Sequence, residues 1–291
     1  MPLVATVGAV TDTTIPTVKL HDGNLIPQLG FGVWQVPDDE AETATAEALR
    51  VGYRLIDTAA AYKNESGVGR AIAASGVARE DLFITTKLWN ADQGYDTTLR
   101  AFDASMDKLG LETLDLYLIH WACPEADRYV DTWKAFVKLA ESGRVRSIGV
   151  SNFHQPHLER IIGETGVTPV MNQLETHPYL QQKQMRAFDA EHQIVTESWS
   201  PLGSGHGLLE DAVLTEIAQK HGVTPAQVVL AWHLQIGNVV IPKSVTPSRI
   251  AENFAAAPVK LSEDDMARIE TLDSGTRYGA NPDTANFGID Y

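Results

Sequence analysis

Three runs, YRLID at 53–57, LFITTK at 82–87 and LDLYLIH at 114–120, decide the fold. Each is mostly apolar, and each stops on an ionisable residue: Asp57, Lys87 or His120. A short apolar run bounded by turn signals reads as a buried strand, and a titratable group at its tip is where chemistry sits. Tyr62 lies five positions past Asp57, in the loop TAAAY. Three such strands, successive in a helix-separated series, bring all four side chains to one rim of a parallel sheet.

Outward from these runs the same alternation continues. Upstream, VKL, the turn HDGN and LIP predict a hairpin, followed by a short strand at 29–32 and an Ala-rich helix at 40–51. Helices are expected at 66–74, 97–109 and 130–140, the last stopping at a turn that contains Gly143. Downstream come strand RSIGVSN, helix HQPHLERII, strand PVMNQLE, helix QKQMRAFDAEH and strand QIVTESWSP. Two helical stretches at 210–220 and 225–234, strand NVVIPKS and helix PSRIAENFAAA complete eight strands, each followed by helix. SEDDMARIETLD is one helix more, and SGTRYGANPDTANFGIDY is a C-terminal tail.

An eightfold βα alternation predicts a (β/α)8 TIM barrel, α/β in class, with an N-terminal β-hairpin, an extra C-terminal helix and a tail. The rival is a doubly wound sheet, whose glycine fingerprint after the first strand is missing: GFGVW at 30–34 is too short, and GSGHG at 203–207 comes after the seventh strand. Residues 1–14 read as a loose tail without a basic leader, and 15–291 as one domain, since no composition break divides them.

The 291 residues are 44% hydrophobic and carry a formal net charge of −15, which argues against nucleic acid or an anionic membrane surface as a partner. A local basic cluster can still dominate its own pocket, because salt screens charges beyond about 8 Å. No apolar stretch approaches membrane-spanning length. The single cysteine, Cys123, allows no internal disulfide and predicts a reducing compartment such as the cytoplasm.

Chemically the four tip residues form a coherent set. A phenol can give a proton, an ammonium beside it can stabilise the phenolate and lower its pKa, a carboxylate can hold the ammonium, and an imidazole can orient a carbonyl. This predicts a carbonyl-reducing site with Tyr62 as acid, Lys87 and Asp57 behind it, and His120 on the substrate oxygen. Singly, each residue has a plainer explanation: a turn cap, a solvated lysine, a loop aromatic, a satisfied core histidine. Together at one rim they favour a site. A metal at His120 is the alternative, but no HxxxH or Cys/His cluster accompanies it, and His154 and His157 fit the start of an amphipathic helix.

With these residues in place, the sequence resembles the aldo-keto reductases. The matching segments run in order from Val18 to Phe254: LIPQLGFGVWQV, GYRLIDTAAAYKNESGVGRAI, LFITTKLWN, LGLETLDLYLIHW, GRVRSIGVSNF, MNQLETHPY, ESWSPLGSG and VIPKSVTPSRIAENF. Within the family the likeness is to the bacterial 2,5-diketo-gluconate reductase and prostaglandin-F-synthase-like group. The resemblance implies NADPH, held across the barrel mouth without a Rossmann domain. It implies Ser151, Asn152 and Gln173 at the nicotinamide carboxamide, with Asp57 beside them, and Trp199 stacked on the ring where tyrosine is more usual. It places Ser200, Leu202, Gly203 and Ser204 along the pyrophosphate, Lys243, Ser244, Val245 and Arg249 around the 2′-phosphate, and Glu252 and Asn253 near adenine. The residues agree at the last step. IPKSVTPSR sets a lysine, a hydroxyl and an arginine between strand eight and a helix start, a usual phosphate region in barrels.

Trp34, Trp89 and Trp121 follow strands one, three and four, predicting an aromatic-walled substrate pocket. Where relatives read His-Trp-Pro, this chain has HWACPEADRY, and the tail, with Phe287 and Tyr291, can fold over the mouth. Small aldehydes, α-dicarbonyls such as methylglyoxal and keto-sugars are all candidate substrates of an expected monomer. A second reading is a redox-sensing or structural subunit that keeps fold and cofactor with little turnover. A third, a hydrolytic or lyase barrel using Asp57 and His120, needs a nucleophile or metal that the sequence does not supply.

Overall fold

The computed structural model describes residues 15–289, so the expected loose segment 1–14 and Tyr291 lie outside the described residues. Strands β1 (Thr17–Lys19) and β2 (Leu25–Pro27) pair antiparallel with Val18 opposite Ile26. Eight parallel strands follow: β3 (Phe31–Gly32), β4 (Leu55–Asp57), β5 (Phe83–Leu88), β6 (Leu114–Ile119), β7 (Val145–Ser151), β8 (Met171–Glu175), β9 (Val195–Trp199) and β10 (Val239–Val240). They hydrogen-bond in chain order, and the ends of the sheet meet through Leu29–Val240 and Gly32–Lys243 bridges. That closes the barrel.

The helices are α1 (Asp38–Val51), α2 (Glu65–Ala74), α3 (Tyr95–Leu109), α4 (Tyr129–Glu141), α5 (Gln155–Thr165), α6 (Lys183–Glu191), α7 (Ala212–His221), α8 (Pro225–Gln235), α9 (Pro247–Phe254) and α10 (Glu263–Glu270). Expected helices match these within a few residues, and Gly143, at φ 74°, takes the left-handed turn after α4 that a side chain would resist. Strand NVVIPKS is much shorter than expected, with only Val239 and Val240 in the ladder with β9.

Strand alternation sorts the side chains into two cores. Leu55, Phe83, Leu116, Leu118, Met171, Val239 and Ile241 point into the barrel and meet Leu20 and Ile26 of the hairpin, which plugs the bottom. The residues between them, such as Ile56, Ile84, Tyr117 and Ile119, face the helices. With both faces buried, a strand can be nearly all apolar, and its C-terminal tip is the end that faces the barrel mouth. No helix among the described residues is long and apolar enough to cross a membrane.

Candidate active site

Asp57, Lys87 and His120 are all inward positions, two steps up from Leu55, Thr85 and Leu118 on their strands, so each stands on the barrel's upper rim. Tyr62 closes a 3-10 turn at Ala60–Tyr62, just above β4. Lys87 Nζ is the hub. It donates to Asp57 Oδ1 at 2.5 Å, to the carbonyl of Thr58 at 3.0 Å and to the Tyr62 hydroxyl at 3.3 Å. The Tyr62 and His120 rings meet edge-on, 5.7 Å apart, and Trp89 meets His120 in the same way.

Lys87 is fully buried, and burial alone would lower its pKa. Asp57 and Tyr62 more than offset this and carry the ammonium up to about 12, so it stays charged. Burial raises Asp57, although Lys87 and Gln173 pull it back down. Burial also raises Tyr62, and here one expectation needs correction. Lys87 does lower the phenol's pKa, but desolvation outweighs it and the net direction is upward. Tyr62 is therefore a neutral phenol over the physiological range. The ammonium beside it can stabilise a phenolate, but the starting pKa is not low. Burial, then Lys87, drives His120 well below its usual value, so the imidazole is neutral. Its Nδ1 is buried without a hydrogen-bond partner among the described residues.

A cavity of about 770 Å³ opens above these groups, lined by Asp57, Tyr62 and His120 and by the expected substrate residues Trp34, Trp89 and Trp121. Of the residues expected at the cofactor, Ser151, Asn152, Gln173, Trp199, Ser200, Leu202, Ser204 and Lys243 line it as well. Gly203 is buried in the same turn, whose Gly203 N–H donates to the Ser200 carbonyl. Ser244, Val245, Arg249, Glu252 and Asn253 lie beyond the cavity wall, on the loop after β10 and on α9. Val245 and Arg249 are exposed there, whereas the Glu252 carboxylate accepts from Thr224 Oγ1 at the start of α8.

The polar floor is tightly specified. Ser151 Oγ donates to the Gln173 carbonyl, Asn152 Nδ2 donates to the His120 carbonyl, and Trp199 Nε1 donates to Asn152 Oδ1. Gln173 Nε2 donates to both Asp57 Oδ2, at 2.9 Å, and Glu197 Oε2, at 2.6 Å. Two carboxyls thus fix which end of that amide is which. What Gln173 has left for a ligand is its carbonyl Oε1, an acceptor suited to a carboxamide N–H. Among the described residues, no group of three or more His, Cys, Asp or Glu could hold a metal.

Sequence reasoning missed several members of this site. Tyr278, Gly279 and Ala280 of the tail line the cavity, as do Gln35 and His206. Phe287, in the tail read as able to fold over the mouth, lines the cavity and packs on Trp89 and Trp121. Glu197 was missed too. Its only signal is an acid in the middle of the strand VTESW.

Comparison with known proteins accords with this geometry. The model of the Aldo/keto reductase family matches residues 28–274. The chain belongs to the aldo/keto reductase family. An aldo-keto reductase of Mycolicibacterium smegmatis is 58% identical over 272 residues, covering 94% of this chain and 98% of that protein. Methylglyoxal reductase DkgA of Escherichia coli K12 is 55% identical over 270 residues, covering 92% and 98%. Among solved structures, a mutant of Gox0644 in complex with NADPH superposes with a TM-score of 0.90 at 52% identity, covering 94% of this chain and 100% of that one.

Proposed function

We propose that this aldo/keto reductase is an NADPH-dependent carbonyl reductase that converts small aldehydes, α-dicarbonyls or keto-sugars to alcohols, with Tyr62 as proton donor. The observation that carries the reading is Lys87 Nζ, shared between Asp57 and the Tyr62 hydroxyl beneath an aromatic-walled cavity. The cavity is larger than a three-carbon carbonyl needs, which leaves room for part of a dinucleotide.

NADPH supplies hydride to the carbonyl carbon. The chain's own groups do the rest. Neutral His120 and the Tyr62 hydroxyl converge on the oxygen, and as negative charge develops there the phenol gives up its proton. The phenolate that remains is held by Lys87, already charged and paired, so little reorganisation is needed. Trp34, Trp89, Trp121 and Phe287 give the reacting face an apolar wall. Gln173 Oε1 suits the nicotinamide carboxamide and Trp199 its ring. Exposed Lys243, with Arg249 in the first turn of α9, suits a 2′-phosphate near a helix N-terminus. Methylglyoxal is the first substrate to try, given the name of the Escherichia coli relative.

A spectrophotometric screen of carbonyl compounds with NADPH and NADH tests the reading. Carbonyl-dependent oxidation of NADPH is expected, and replacing Lys243 and Arg249 together should weaken NADPH far more than NADH. Tight NADPH binding without turnover on any carbonyl would favour a redox-sensing subunit instead. Equal loss of both cofactors in the double variant would remove the 2′-phosphate assignment.

A further inference from the structure

Behind the Asp57–Lys87 pair lies a second carboxyl. Glu197, in the middle of β9, stands in register with Gln173 on β8 and points into the barrel. It is fully buried, and its Oε1 has no hydrogen-bond partner among the described residues, so one bond from Gln173 Nε2 is all that holds it. The other hydrogen of that amide goes to Asp57. A continuous path therefore runs Glu197–Gln173–Asp57–Lys87–Tyr62.

The groups around Glu197 can be taken element by element. Asp57 approaches from β4, Lys87 from β5 and Tyr62 from the 3-10 turn. On β8, Gln173 is neutral, and Glu175, the next inward position, is committed to His177 and the tail. On β10 the register partner is Val239. One ammonium thus faces two carboxyls linked by a single amide, and the two cannot both ionise cheaply. The proton stays on the carboxyl with fewer bonds. Burial, reinforced by Asp57, pushes Glu197 up to about 8. Above that range a second negative charge appears behind Tyr62, and negative charge there opposes a phenolate.

We propose that Glu197 is a positioning residue of this site: through Gln173 it sets the charge behind the Asp57–Lys87 pair, and its ionised form keeps the Tyr62 hydroxyl protonated in alkaline solution. The proposal rests on Tyr62 being the proton donor, and its test separates the two. Glu197→Gln keeps an acceptor for Gln173 Nε2 and removes the charge. Two measurements read the result. The first is the ultraviolet absorbance of the Tyr62 phenolate in the protein alone, as the difference between each protein and its Tyr62→Phe counterpart. The second is the pH profile of carbonyl reduction. In Glu197→Gln the phenolate should appear at a pH lower by on the order of one unit, and the alkaline fall in reduction should move down with it. Glu197→Asp, with a titrating carboxyl one methylene further from Gln173, should show a smaller shift in the same direction. Should Glu197→Gln not fold, Glu197→Asp decides alone. A phenolate titration that superposes on the wild type in the folded variant overturns the proposal, even if overall rates fall. A shifted titration combined with full turnover in Tyr62→Phe upholds the coupling and removes the proton-donor reading.

Discussion

Lys87 is where the energetics of this molecule are most exposed to a single substitution. Its ammonium is fully buried and is kept charged by Asp57 at 2.5 Å. A buried pair is weak evidence for stability as such, but removing one partner strands the other. Lys87→Met should therefore destabilise the fold by about 3–5 kcal/mol near neutral pH. The sign of its pH dependence follows from Asp57. Burial already raises that carboxyl, and without Lys87 it rises further. A raised carboxyl favours the folded state most when protonated, below its unfolded value, and the advantage is lost as pH climbs through the folded value. The deficit of Lys87→Met relative to wild type, measured by urea unfolding, should thus shrink on acidification. A deficit that grows on acidification would mean that Asp57 is not the stranded group.

Elements far apart in sequence build the lid. Glu175, at the tip of β8, accepts from the backbone N–H of Tyr278 at 2.7 Å and of Gly279 at 2.8 Å, and from His177 Nε2 at 3.0 Å. The Tyr278 ring stacks on His177 and His206, joining the tail to the loop after β9. Gly279 is required here, since a Cβ would lie 2.4 Å from Trp199 Cη2. Further on, the Phe287 carbonyl accepts from Asn90 Nδ2, and Asn286 Oδ1 accepts from the Glu125 N–H. Burial works against the Glu175 carboxylate, yet His177 and the two tail amides outweigh it and lower its pKa from the ordinary carboxylate value. A depressed carboxyl contributes above its unfolded pKa, and the contribution is lost as pH falls through the folded value. Hydrogen exchange at the Tyr278 and Gly279 amides, corrected for intrinsic rates, should show protection near neutrality that fades only in acid, below the ordinary glutamate range. In Glu175→Ala that protection should be absent at every pH. Protection undiminished by the substitution would place the anchor elsewhere.

For the whole molecule, the sequence was legible where the barrel imposes one pattern on every strand. Strands buried on both faces must be apolar, so an ionisable residue is tolerated at the tip and stands out against the run before it. That is why Asp57, Lys87 and His120 could be read directly, and why the wall of Trp34, Trp89 and Trp121 followed from their places just past the tips. Glu197 escaped notice because a single acid within VTESW looks like the polar half of an alternating strand; only the register of β9 on β8 shows that its side chain meets Gln173. The contact between Glu175 and the tail escaped because Glu175 and Tyr278 are 103 positions apart and Tyr278 sits in no patterned segment. The direction of the Tyr62 shift was also out of reach, since it depends on a balance between burial and Lys87 that spacing does not contain.

The central claim is that the Tyr62 hydroxyl delivers the proton during carbonyl reduction. Its most direct test is steady-state NADPH oxidation with methylglyoxal in Tyr62→Phe, with NADPH affinity followed separately by quenching of tryptophan fluorescence. In this variant kcat should fall by roughly 10²–10⁴-fold, the usual contribution of a positioned acid, while cofactor affinity is unchanged. Turnover within a few-fold of wild type, in a variant that still binds NADPH, would contradict it.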